Sequence, residues 1–166
     1  MATITELFGT ATAFTVTNAN LATSATAGWV SNAIDNTSTL ALDALVQFVW
    51  SAVNTAPANS KAIFCYAFAL VDPAGSTYTS TGDGTPAGTE GALTFPDITT
   101  LPIVAPLLGV VPYAVQNKAI NSPTFSVAAC FGGVLPPKWC VGYVNHTGMT
   151  LAGSAHKYIE IKRTVA

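Results

Sequence analysis

Charge is what this sequence has least of. Six of its 166 residues are Lys or Arg and eight are Asp or Glu, 8% in all, against about a quarter in an ordinary globular chain. The cations Lys61, Lys118, Lys138, Lys157, Lys162 and Arg163 are too few and too scattered to neutralise a phosphate backbone, so no direct nucleic-acid partner is expected. Histidine is equally scarce. His146 and His156 fall in neither HxH nor HExxH spacing, which leaves a metal centre without a ligand set. There is no GxSxG elbow and no phosphate-cradling glycine loop. No spacing among Glu6, Asp35, Asp43, Asp72, Asp83, Glu90, Asp97 and Glu160 marks a catalytic carboxylate pair. The expectation is a protein that is not an enzyme and holds no cofactor or metal.

Cysteine is sparse too. Cys65, Cys130 and Cys140 are odd in number, form no CxxC pair and each lie in an apolar run. That predicts buried free thiols in a chain made in a reducing compartment. Met1–Glu6 lacks the basic start and long apolar stretch of a signal peptide, so none is expected. The longest uncharged stretch, residues 98–117, has the length of a membrane span but carries Pro102, Pro106 and Pro112. Three prolines repeatedly break a helix, so the stretch reads as strands and turns with no membrane partner.

What is present is small, polar and apolar in alternation. At 166 residues, half of them hydrophobic, the chain can bury a real core as one domain. Thr, Ser, Asn and Gly stand where charge usually does, as in Thr77-Tyr78-Thr79-Ser80-Thr81. Either Thr decorates the solvent face of strands, or neighbouring subunits cover a surface on which charge would be costly to desolvate.

The segments read as β. Leu42–Trp50 fits both a helical stripe and an alternating strand with Leu40, Leu42, Val46, Phe48 and Trp50 on one side. Its β-branched and aromatic content favours the strand. Ala62–Val71 is apolar on both faces, which predicts a strand covered on both sides, and it ends at the turn sequence Asp72-Pro73-Ala74-Gly75. Further strands are expected at Leu107–Val111, Thr124–Cys130, Trp139–Val144 and His156–Arg163. Asn145-His146-Thr147-Gly148 reads as a hairpin turn, with the return strand starting near Met149. Short strands joined by Gly/Pro-rich connections predict an all-β antiparallel sandwich or barrel.

Two stretches stand apart. Residues 1–27 are weakly patterned and read as an extended N-terminal arm ahead of a β-sandwich domain at 28–166, with an edge strand over Thr12–Thr17 as the alternative. The Gly/Thr run over 75–91 is long for a compact domain and reads as a contact loop or a solvent loop. The candidate interface residues are therefore Ile4, Leu7 and Phe8 in the arm and Tyr78 and Asp83 in the loop. Trp29, Trp50 and Trp139 form an alternative platform for stacking sugar rings, although Trp139 reads better as core. The triplets Asn36-Thr37-Ser38 and Asn145-His146-Thr147 match the glycosylation pattern by chance, given no secretory signal.

The stretch Phe125-Ser126-Val127-Ala128-Ala129-Cys130-Phe131-Gly132-Gly133-Val134-Leu135-Pro136-Pro137-Lys138-Trp139, followed by Val141–Gly148, resembles the C-terminal half of small virion structural proteins of tailed bacteriophages. Those proteins read as an apolar run, Gly-Gly-x-Leu-Pro-x-x-Trp, a hydrophobic strand, then Asn-x-Thr-Gly. Ile34–Val46 is similar to their first long strand, and the likeness spans about half the chain. The resemblance implies a capsid decoration or cement protein with a jelly-roll-like sandwich, placed on the capsid exterior of a virion and partnered by the major capsid protein. By analogy with other decoration proteins it further implies self-association, as a homotrimer. A carbohydrate-binding module and a tail or neck component are the alternatives.

Overall fold

The run from Ala62 to Val71 carries no charge, and a strand of that kind needs cover on both faces. A computed structural model gives it that cover. The structure describes residues 4–14, 16, 20–24, 26–52, 62–71, 79–80, 88–94, 105–112 and 118–165. Ala62–Val71 is strand β8, and it pairs with β14 (Lys138–Asn145) over eight successive positions, from Lys138 opposite Leu70 to Asn145 opposite Ile63. Alternation then divides the pair between two cores. Ile63, Cys65 and Ala67 join Trp139, Val141 and Tyr143 in the main core. Tyr66, Phe68 and Leu70 join Cys140 and Val144 in a second cluster on the opposite face.

The chain is all-β, and every described strand pairing is antiparallel. The strands form three sheets. In the first, β1 (Ile4–Phe8) lies beside β16 (Lys157–Val165), followed by β6 (Asp43–Gln47) and β13 (Phe125–Ser126), with β2 (Thr12–Ala13) also on β16. The second runs β10 (Gly91–Thr94), β4 (Ala27–Val30), β14, β8 and β11 (Leu107–Pro112), with β5 (Ile34–Asp35) on β14 and β9 (Thr79–Ser80) on β8. The third is β12 (Ile120–Asn121), β7 (Val49–Ala52), β15 (Leu151–Ser154) and β3 (Asn20–Leu21). Among the described residues no helix is long and apolar enough to cross a membrane.

Four expectations change. The strand expected over Leu42–Trp50 is two, β6 and β7, which belong to different sheets and meet at Phe48. Ser122 satisfies the backbone there: Phe48 N–H donates to Ser122 Oγ (2.9 Å), and Ser122 N–H donates to the Phe48 carbonyl (2.9 Å). Ala44, Val46, Phe48 and Trp50 face the core as alternation requires, but Leu40 and Leu42 are exposed. The cause is Asn36, whose side chain bonds both Ala41 N–H (2.7 Å) and the Ala41 carbonyl (3.1 Å) and closes a turn before the strand begins.

The strand expected over Thr124–Cys130 stops at Ser126 and becomes a 3₁₀ turn, η1 (Ala128–Phe131). One local and one distant side chain redirect it: Ser126 Oγ accepts Ala129 N–H (3.1 Å), and Asp43 Oδ1 of β6 accepts Ala128 N–H (2.9 Å). Cys130 thus lies half-buried on η1, while Cys65 and Cys140 are buried.

The turn at Asn145–Gly148 forms, with Gly148 at φ 83°, yet it makes no hairpin. The next strand, β15, pairs with β7 and β3 in another sheet. Asn145 is fully buried and organises this departure. Its amide donates to the Leu21 (2.9 Å) and Met149 (2.6 Å) carbonyls, and its Oδ1 accepts from Thr147 N–H (3.1 Å) and Thr147 hydroxyl (2.7 Å). The asparagine of each Asn-x-Ser/Thr triplet is therefore a buried turn former, although Thr37 and Ser38 themselves are exposed.

Within the stretch read as an arm, β1, β2 and β3 are each paired into a sheet. Phe14 belongs to the main core, with its ring against Trp139 (5.9 Å) and Tyr158 (5.0 Å).

Candidate interaction surface

Every described carboxylate is already engaged. Glu6 pairs with Arg163 (3.0 Å), Glu160 with Lys162 (3.0 Å) and Glu90 with Trp29 Nε1 (3.2 Å). Asp43 accepts from Ser126 hydroxyl (2.7 Å) and from Ala44 and Ala128 N–H. The Thr37 hydroxyl and N–H, with Lys138 beside them, hold Asp35 below the usual carboxylate range. No group of three or more His, Cys, Asp or Glu converges among the described residues. His156 is buried, and burial lowers it to about 4. Burial pushes the Cys65 and Cys140 thiols up, and Cys130 as well.

The tryptophans make no shared platform. Trp50 and Trp139 are fully buried in the main core, and Trp29 is half-buried with its ring nitrogen held by Glu90. A sugar-stacking surface built from all three is therefore ruled out.

Exposed apolar side chains mark a different surface. Ile4, Glu6 and Phe8 alternate onto one face of β1, opposite Val165, Arg163 and Ile161 of β16. Ile161 in turn lies opposite Asp43 of β6. Beside this face, a hollow of about 350 Å³ is lined by Glu6, Leu42, Asp43, Ser126, Ala128, Ala129, Gly133, Ile161 and Arg163. Two exposed turns adjoin its lining residues Leu42 and Gly133 in the chain. The Asn36 turn holds Leu40 at φ 49°, a left-handed conformation unfavourable for a branched side chain, and leaves it 73% exposed. Gly132 and Gly133 take φ 70° and 87° and present Val134 at 69% exposure. An exposed leucine in a strained backbone conformation is held by the turn around it.

Of the candidate interface residues, Ile4, Leu7 and Phe8 come together on β1 and are exposed, with Leu7 on the face opposite to the other two. Tyr78 and Asp83 lie outside the described residues. Leu40, Leu42 and Val134 were not foreseen. The readable signal was Asn36 five residues before Ala41, a spacing at which a side chain can cap its own loop. No family model, curated protein or solved structure matches this chain.

Proposed function

We propose that the protein is a non-enzymatic virion structural protein, a decoration or cement protein that binds the outer surface of a phage capsid and stabilises the head. One observation carries the reading: Leu40 and Val134 stand exposed on hydrogen-bonded or glycine turns, next in the chain to Gly133 and close to Leu42, which line the hollow. Apolar side chains fixed in this way suit burial against a partner protein, because the ordering cost of the loop is met before contact. The resemblance of Phe125–Gly148 to small phage virion proteins names the partner class, the major capsid protein, and a jelly-roll-like sandwich as the arrangement. Attachment works by many moderate contacts, each worth about 25 cal/mol per Å² of apolar area before ordering costs, repeated over a lattice.

The test is binding of the purified protein to heads stripped of it, read by co-sedimentation and by the temperature at which the heads release DNA. The wild type should bind and raise that temperature. The double variant Leu40→Asp, Val134→Asp should keep its own melting temperature and bind at least ten-fold more weakly, about 1.4 kcal/mol. Failure of the wild type to bind heads, or undiminished binding by the variant, defeats the proposal.

A further inference from the structure

Strand β1 is an unguarded sheet edge. Its five residues, Ile4-Thr5-Glu6-Leu7-Phe8, are all exposed and contain no Pro, no Lys and no bulge, and their one charge, Glu6, is paired with Arg163. Natural edges are shortened, bent, charged or interrupted to stop strands from adding to them. Most other described sheet ends follow that rule. Strand β11 carries a register shift and ends at Pro112, and β3, β12 and β13 are two residues each, whereas β10 is a regular strand of four residues.

The free backbone groups of β1 can be identified. Gly9 N–H donates to the Glu160 carbonyl of β16 (2.8 Å). Backbone groups alternate sides along a strand. Thr5, Leu7 and Gly9 therefore turn theirs towards β16, and Ile4, Glu6 and Phe8 direct theirs away from the sheet, where no described residue meets them.

We infer that β1 pairs antiparallel with β1 of a second copy of this chain, about a two-fold axis at Glu6. The outward residues 4, 6 and 8 are symmetric about that position, so each outward donor meets an acceptor. Ile4 then lies opposite the second copy's Phe8 on one face, and Thr5 lies opposite its Leu7 on the other. Both are favourable cross-strand neighbours. The one like-charge contact, Glu6 against Glu6, is neutralised because Arg163 sits directly opposite each Glu6, 3.0 Å away. A row of Arg163, Glu6, Glu6 and Arg163 carries no net charge. The chain's own net charge of −2 adds little repulsion between copies. The assembly is two-fold, in place of the three-fold expected by analogy, and it does not depend on the capsid reading.

Five paired residues bury less than the ~800 Å² per partner of a standard interface, so the dissociation constant is expected to be roughly micromolar. Sedimentation velocity of the full chain up to about 100 μM, well above that constant, should show a monomer–dimer equilibrium. Glu6→Gln keeps the outward N–H and carbonyl of position 6 and should still dimerise. Glu6→Pro deletes an outward N–H while leaving the β16 ladder intact. It should be monomeric, with the melting temperature of Glu6→Gln. Ile4→Lys with Phe8→Lys, at side chains 65% and 66% exposed, places lysines opposite one another across the axis and should also abolish the dimer. A monomeric wild type overturns the inference, and so does a dimer that survives either disruptive variant.

Discussion

The rings of Phe48 and His156 lie 5.3 Å apart at 70°, at two of the points where the chain passes between the first and third sheets. Phe48 separates β6 from β7, and His156 lies between β15 and β16. The crossings are tied by backbone as well. Val49 N–H donates to His156 Nδ1 (3.0 Å), and Ala155 N–H donates to the Val49 carbonyl (3.2 Å). Trp50 and Tyr143 close the ring cluster around the imidazole, each 5.3 Å from it.

This placement makes stability depend on pH. Nδ1 accepts a hydrogen bond, so the neutral ring carries its proton on Nε2, and a second proton would break the Val49 contact. Burial lowers His156 from 6.5 to about 4, so between those values the unfolded chain binds the extra proton. The contribution is full above pH 6.5 and is lost as pH falls to about 4, on the order of 3 kcal/mol. Thermal melts should therefore fall between pH 6.5 and 5 in the wild type and much less in His156→Gln. Identical slopes for the two proteins would refute this role.

Gly109 and Phe125 join the second sheet to the first. A Cβ on Gly109 would overlap Phe125 Cε1, so the ring sits where only a glycine leaves room. Gly109→Ala should lower stability by about 1–3 kcal/mol. Phe125→Ala removes the clash as well as packing, so the double variant should lose less than the sum of the two single losses. Strict additivity in denaturant melts would show that the two positions do not touch.

The three thiols should separate in a labelling experiment. Cys65 and Cys140 are buried on opposite faces of the second sheet, whereas Cys130 is half-buried on η1. One equivalent of a water-soluble thiol reagent should react with the native protein, slowly, since burial and nearby Asp43 both raise Cys130. The other two should react only on unfolding, and Cys130→Ser should abolish the native phase. Native labelling of Cys65 or Cys140 at the Cys130 rate would contradict the packing of β8 against β14.

Patterns with short range were legible. The charge-free run of β8, the alternation from Ala44 to Trp50 and the positive φ at Gly148 each follow from neighbouring residues. The interaction surface was legible only in Ile4, Leu7 and Phe8. Leu40 and Leu42 fit the same alternation as Val46, and only the hydrogen bonds of Asn36 reveal that the strand starts after them.

The sequence by itself determined an all-β chain with a shortage of charge, because strand alternation and composition are properties of local stretches. Tertiary structure alone decided which edges met. A turn such as Asn145–Gly148 sets backbone angles over four residues, and those angles do not specify the strand that receives β15. That choice belongs to contacts summed across the chain: Asn145 reaching Leu21, Leu42 N–H reaching the Ile161 carbonyl, Gly109 admitting Phe125. The exposed edge at β1 arises in the same way, since a strand becomes an edge only when every other strand has found its partner.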